Sequence, residues 1–267
     1  FTILLFFFIY LYNFIFFNVY DFNNPCNGCH FNKIFKERSH FAASILPFLG
    51  YIFFYDTEKK IIKVIILSLI LAISFFNIST TLIVGFILIL FLEIYLNRFR
   101  LKKNFVFIFI LCIFIILGSY KVKDRIIGLI TDNHNLSAEV YKTSLLISYN
   151  SIKNKPFGYG FNNYEKAFET YINEFDLNFY ETYMLNKKDG SNNFSKIITE
   201  FGIFSIIIIY YLFYFFKSRE INKSIKIFFL IAIFIQLFVR GFGYFNAGFL
   251  LYLFYIYIFS KTPKTNS

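Results

Sequence analysis

The chain has 267 residues, 57% of them hydrophobic and 24% aromatic, with a formal net charge of +11. Its apolar residues come in long runs and its mean hydropathy is +0.57, a composition that excludes a soluble globular domain and predicts an integral membrane protein. The excess Lys and Arg fall in short gaps between apolar runs, where membrane topology accounts for them, so nucleic acid is excluded as a partner.

The predicted fold is all-α, a polytopic bundle of about eight transmembrane helices with one large extracytoplasmic loop that carries amphipathic helices. Apolar runs predict spans at Phe1–Val19, Phe41–Tyr55, Ile61–Phe76, Thr81–Leu96, Phe105–Gly118, Ile197–Phe216, Ile225–Val239 and Ala247–Phe259. The expected division is 1–120 with spans one to five, 121–196 as the loop, and 197–267 with the last three spans and a cytoplasmic tail. The first run begins at Phe1 with neither a basic start nor a small-residue cleavage site. It therefore reads as a span and not a signal peptide, and further spans are expected upstream.

Orientation follows from the basic gaps. Lys59, Lys60 and Lys63 share one gap, Arg98, Arg100, Lys102 and Lys103 another, Lys217, Arg219, Lys223 and Lys226 a third, and Lys261 and Lys264 lie in the tail. With eight spans all four groups fall on one side, which the positive-inside rule makes cytoplasmic. The long polar segment then faces outward. In it Ala138, Tyr141, Leu145, Tyr149 and Ile152 recur at helical spacing, as do Tyr164, Phe168, Tyr171 and Phe175. These stripes predict helices at about Ser137–Ile152 and Asn163–Phe175, each packed through its stripe as a small lid. Pro156 stops the first helix, and Gly158 and Gly160 permit a tight return.

Three clusters carry candidate chemistry. Cys26-Asn27-Gly28-Cys29-His30 has the spacing of a covalent c-type haem site, with a local disulfide in an oxidising compartment as the alternative. A zinc site there lacks a second Cys/His pair. Arg240 closes an apolar run and opens Gly241-Phe242-Gly243-Tyr244-Phe245; its guanidinium fork suits either a lipid phosphate or a diphosphate bound bidentately. Glu37-Arg38-Ser39-His40 offers a general base and a second cation at another run's start.

Four segments, in order, resemble the superfamily of O-antigen polymerases and O-antigen ligases, multispan bacterial membrane glycosyltransferases. They are Glu37-Arg38-Ser39-His40-Phe41-Ala42; Lys155-Pro156-Phe157-Gly158-Tyr159-Gly160 after an amphipathic helix; Asn192-Asn193 followed by Ile198-Thr199-Glu200-Phe201-Gly202-Ile203; and Arg240-Gly241-Phe242-Gly243-Tyr244-Phe245. The resemblance covers most of the chain. It implies transfer of a glycan from an undecaprenyl-diphosphate-linked oligosaccharide, on the periplasmic side of the bacterial inner membrane, with no metal or cofactor. It gives Arg240, His40 and Glu37 the catalytic roles, and Arg38, Lys142, Gly158, Gly160, Asn192 and Asn193 substrate binding. Membrane lipids and a chain-length regulator protein are the further partners it implies. Where this family commonly has an arginine opening the first loop helix, the chain has Ala138-Glu139-Val140, and Ser191-Asn192-Asn193 stands where ligases place a His-Asn pair. The missing histidine favours polymerase over ligase. A flippase for lipid-linked sugars is the reading from a different class, although Glu93 is nearly the only acid within an apolar run.

Overall fold

The structure, a computed structural model, describes residues 38–54, 79–97, 105–121, 136–174, 185–214, 223–241, 243 and 244, with isolated positions at 65, 67, 68, 123, 127, 250 and 253. Among these residues every regular element is helical, and the fold is all-α. The chain divides into two compact units, Phe1–Tyr120 and Lys121–Ser267.

In the first unit the described helices are α1 (Arg38–Phe54), α2 (Thr80–Asn97) and α3 (Phe105–Lys121). They match the expected apolar runs at Phe41–Tyr55, Thr81–Leu96 and Phe105–Gly118. Ser79 caps α2, its Oγ accepting from Leu82 N at 3.2 Å. α1 and α2 touch where Gly85 leaves room for the Leu46 side chain; a Cβ on Gly85 would overlap it. Phe86 of α2 meets Phe114 of α3 edge-to-face at 5.1 Å. Glu93, expected as a rare acid in an apolar run, is buried in the unit. The expected run at Phe1–Val19, most of those at Ile61–Phe76 and Ala247–Phe259, and the Cys26–His30 cluster lie outside the described residues.

The second unit holds α4 (Leu136–Asn154), α5 (Tyr164–Tyr171, continued by a 3-10 turn Ile172–Glu174), α6 (Asn193–Phe201, then a 3-10 turn Gly202–Phe204), α7 (Ser205–Tyr214) and α8 (Lys223–Phe234, ending in a π turn Ile235–Val239). One apolar cluster joins Ile197, Leu212, Ile233 and Leu237 of α6, α7 and α8. Another joins Ile147 of α4 to Tyr164, Ala167, Phe168 and Tyr171 of α5. Tyr164, Phe168 and Tyr171 of the stripe expected on α5 thus form its buried face, and Phe175 lies outside the described residues.

α4 forms where expected, but only part of its predicted stripe is covered: Ala138 is buried and Tyr141 half-buried, whereas Leu145, Tyr149 and Ile152 are exposed, and the rest of the buried face is Val140, Thr143, Ser144, Ile147, Ser148 and Ser151. The reason is small volume: hydroxyl-bearing residues let α4 approach α6 closely. Ser148 Oγ donates to Ser195 O at 3.0 Å and Thr199 Oγ1 to Ser148 Oγ at 3.2 Å, bonds that a stripe of large apolar side chains would preclude.

By length and composition, the continuous helical stretch Asn193–Tyr214 (22 residues) is long and apolar enough to cross a bilayer; Ser39–Phe54, Thr80–Leu96, Leu111–Tyr120 and Ser224–Val239 are shorter apolar helices. Exposure along Asn193–Tyr214 changes at Gly202. Before it, Asn193, Ser195, Lys196, Thr199 and Glu200 are buried; beyond it, Ile203, Phe204, Ile206, Ile207, Tyr210, Tyr211 and Tyr214 all point outward.

Candidate functional site

The site is built around the break between α6 and α7. Gly202 adopts φ +54°, open to glycine and strained for other residues. In an unbroken helix Thr199 O would accept from Ile203 N. Instead the turn after α4 exchanges backbone bonds with the break: Ile203 N donates to Pro156 O at 2.8 Å, Tyr159 N to Thr199 O at 3.0 Å and Gly160 N to Glu200 O at 2.8 Å. The fit leaves no space on either side. A Cβ on Gly202 would strike Pro156 O, and one on Gly158 would strike Glu200 O.

The same exchange aims Glu200 at the start of α5. Asn163, the residue preceding α5, makes no side-chain capping bond, and the vacant role falls to Glu200. Its Oε1 accepts from Tyr164 N at 3.2 Å and its Oε2 from Asn162 N at 3.0 Å. A carboxylate from a distant segment thus meets the orphan donors and the positive end of the α5 dipole. Tyr164, almost fully enclosed, shares a hydrogen bond of 3.0 Å with Ser144 of α4. Burial pushes its phenol well above the ordinary tyrosine range; Ser144 opposes the shift and Glu200 adds to it. Across the break, Phe161 stacks on Tyr244 with centroids 5.6 Å apart and planes 11° from parallel. Tyr244 is likewise pushed up, first by burial and next by the neighbouring Glu200 charge.

The N-terminal end of α6 receives the segment that follows α8. Asn192 caps α6, its Oδ1 accepting from Ser195 N at 2.8 Å. Asn193 grips Gly243 from both sides, accepting from its N at 3.1 Å and donating Nδ2 to its O at 3.5 Å. Gly241 N donates to Ser191 O at 2.9 Å, and a Cβ on Gly241 would lie 2.5 Å from Asn193 N. Beneath this joint the Lys196 side chain is buried, its Nζ donating to Asp189 Oδ1 at 2.8 Å and Lys188 O at 3.0 Å. It also sits 5.0 Å from the centre of the Tyr244 ring. A π turn delivers the segment: Arg240 N donates to Ile235 O at 2.8 Å, and the Tyr141 hydroxyl donates to Phe238 O. A single π turn inside a helix is a common device at functional sites. Arg240 itself is extended and half-buried.

Three of the four resemblance segments, those at 155–160, 192–203 and 240–244, therefore converge on one joint of the second unit. The chain matches no protein-family model, no curated protein and no solved structure.

Of the residues expected in the site, Arg240, Asn192, Asn193, Gly158 and Gly160 come together here. Asn192 and Asn193 are fully buried and spend their amides on chain-to-chain bonds. Gly158 is a packing joint, and Gly160, exposed, donates its N–H to Glu200. Lys142 is exposed on α4. His40 lies in α1 of the first unit, half-buried, its carbonyl accepting from Ser44 Oγ at 2.9 Å; Arg38 opens the same helix. Glu37 lies outside the described residues. Four residues that carry much of the geometry, Asp189, Lys196, Glu200 and Tyr244, were given no role by the sequence. A signal existed: Asn193, Lys196 and Glu200 recur at helical spacing where the polar loop meets the apolar run. Among the described residues no cluster of three His, Cys, Asp or Glu side chains is placed to hold a metal.

Proposed function

We propose that this chain is a membrane glycosyltransferase of the O-antigen polymerase type, a multi-pass protein of the bacterial inner membrane whose site faces the periplasm. The observation that carries the reading is the convergence of the three segments 155–160, 192–203 and 240–244 on one joint, with Arg240 emerging from it. The Arg240 guanidinium springs from a short extended segment held between a π turn and the clamped Gly241 and Gly243. It meets the growing charge on the departing diphosphate of an undecaprenyl-diphosphate-linked oligosaccharide. In the reaction the bond from the anomeric carbon to the diphosphate oxygen breaks and a bond to an acceptor-sugar hydroxyl forms. The hydroxyl proton passes to a general base. Asn192, Asn193, Gly158 and Gly160 act here by positioning the joint.

The membrane setting is supported by the outward row of Ile, Phe and Tyr from Ile203 to Tyr214 and by the exposed Ile87, Phe91, Tyr95, Phe109, Ile116 and Leu117 of α2 and α3. Polymerase is favoured over ligase because Asn192 stands in the place of the ligase histidine and is enclosed as a helix cap. The test is a lipopolysaccharide gel from a strain deleted for the complete gene, complemented by wild type or Arg240→Ala. Core bearing a single repeat unit, with the ladder restored by wild type alone, supports polymerase. Loss of even the single repeat with accumulation of lipid-linked polymer means ligase, and an unchanged ladder refutes both.

A further inference from the structure

The turn between α4 and α5 exposes two large aromatic side chains, Phe157 at 71% and Phe161 at 56%, in a segment that is otherwise polar. Phe157 packs against Phe204 with centroids 5.9 Å apart, and Phe204 opens the outward apolar row of the helix beyond Gly202. Phe161 lies against Phe201, one residue before the break, at 6.2 Å. The two phenylalanines therefore extend that row sideways onto the loop. Lys153 and Lys155 stand exposed at the turn's start, with Lys155 Nζ 4.1 Å from the centre of the Tyr159 ring.

The backbone fixes the depth of this turn. Its bonds to Thr199, Glu200 and Ile203 hold it level with the helix break, whatever the loop does elsewhere. From Ile203 to the next cation in the sequence, Lys217, the apolar run would cover roughly 21 Å as a helix. That is about 9 Å short of the hydrocarbon core of a bilayer. If Lys217 marks the far surface, the near boundary falls at or above the break, which puts Phe157 and Phe161 at the level of lipid. A broken helix at that level is tolerated only where its freed backbone groups find partners, and this turn supplies them.

We propose that the Pro156–Phe161 turn is a membrane-interface anchor: Phe157 and Phe161 insert between lipids beside the broken helix, and Lys153 and Lys155 meet anionic phosphates above them. Aromatic rings at the boundary with cations at headgroup level are the chemistry of an interfacial anchor. The inference rests on the membrane reading proposed for the chain and goes beyond it, since it concerns the loop and not the spans.

The chain contains no tryptophan, so single-tryptophan variants report without background. Phe157→Trp, Ile206→Trp and Lys166→Trp are each placed in bilayers of phosphatidylcholine and phosphatidylglycerol whose acyl chains are brominated at a shallow position. Ile206 is 68% exposed in the apolar row, and Lys166 is exposed on α5. The expected result is emission from Phe157→Trp quenched by bromolipid as strongly as that from Ile206→Trp, with Lys166→Trp quenched only by aqueous acrylamide. Phe157→Trp behaving like Lys166→Trp while Ile206→Trp is quenched overturns the anchor and leaves the membrane reading standing. No bromolipid quenching at either Phe157→Trp or Ile206→Trp overturns both. Protection of Phe157→Trp from acrylamide by a soluble oligosaccharide, without bromolipid quenching, overturns the anchor in favour of sugar stacking.

Discussion

Replacing Glu200 by alanine removes the acceptor for two backbone donors, and their surroundings make the loss unequal. Asn162 is exposed, so water takes over its N–H at little cost. Tyr164 is 1% exposed, and its N–H would be left buried with no acceptor. A hydrogen bond to a charged group contributes about 1.5–3 kcal/mol, and an orphaned buried donor costs about 1–3 kcal/mol. A net weakening of about 2–3 kcal/mol at the start of α5 follows. At a factor of ten per 1.4 kcal/mol this is roughly 30- to 140-fold in the local opening equilibrium. Hydrogen exchange read by mass spectrometry on peptides spanning 160–171 measures it directly. The expected outcome is faster exchange by that factor at the α5 start, with helices of the first unit unchanged. Glu200→Gln, which keeps one carbonyl oxygen, is expected to fall between. Exchange in Glu200→Ala equal to wild type would refute the assignment of Glu200 as the cap of α5.

Gly202→Ala forces a side chain into φ +54°, ψ −128°, a sparsely populated conformation that costs about 1–3 kcal/mol for other residues, and drives its Cβ onto Pro156 O. The Ile203–Pro156 bond is lost as well, so a marked fall in melting temperature in mild detergent is expected; an unchanged Tm would count against the backbone exchange. Tyr164 has its phenol raised from the ordinary 10.0, so its stabilising contribution is complete below pH 10. As pH rises further, the unfolded chain releases this proton before the folded one, and stability falls. Tyr164→Phe should flatten that alkaline limb while losing about 1 kcal/mol at neutral pH with the Ser144 bond; melting curves from pH 8 to 11 compare the two. In the Lys196–Asp189 pair the lysine is buried and the aspartate side chain is 52% exposed. Asp189→Ala should therefore destabilise more than Lys196→Met, because the first leaves a buried ammonium short of its counter-charge and the second leaves a carboxylate in water; the reverse order of Tm values would contradict the pairing.

The α-helical class and most described helix positions could be read from apolar runs, since a long run admits few other structures in or out of a membrane. α5 was legible for a related reason: Tyr164, Phe168 and Tyr171 are large, and their spacing marks the buried face. α4 was legible as a helix but not in its buried face, because much of that face is serine and threonine, which carry no hydrophobic signal and whose value lies in how closely they let another helix approach. The break at Gly202 was equally hidden. Its motif could be quoted, but an apolar run gives no sign that a remote turn will exchange backbone bonds with its helix. Gly158, to which the resemblance gives substrate binding, is packed against the Glu200 backbone, and Gly241 against that of Asn192 and Asn193. Glu200 falls inside the apolar run Ile197–Phe216 and Lys196 immediately before it, where neither charge stands out as Arg240 does at the end of its run.

In the proposed reaction the protein itself joins lipid-linked repeat units, and Arg240 is required. The most direct measurement reconstitutes the purified product of the complete gene in liposomes with its own undecaprenyl-diphosphate-linked repeat unit and resolves the glycan products by length. Wild type is expected to yield a ladder of multiples of the repeat and released undecaprenyl diphosphate, and Arg240→Ala, inserted to the same level, to yield neither. A ladder undiminished in Arg240→Ala would contradict the role given to the guanidinium. No ladder from correctly inserted wild-type protein would contradict the proposed activity.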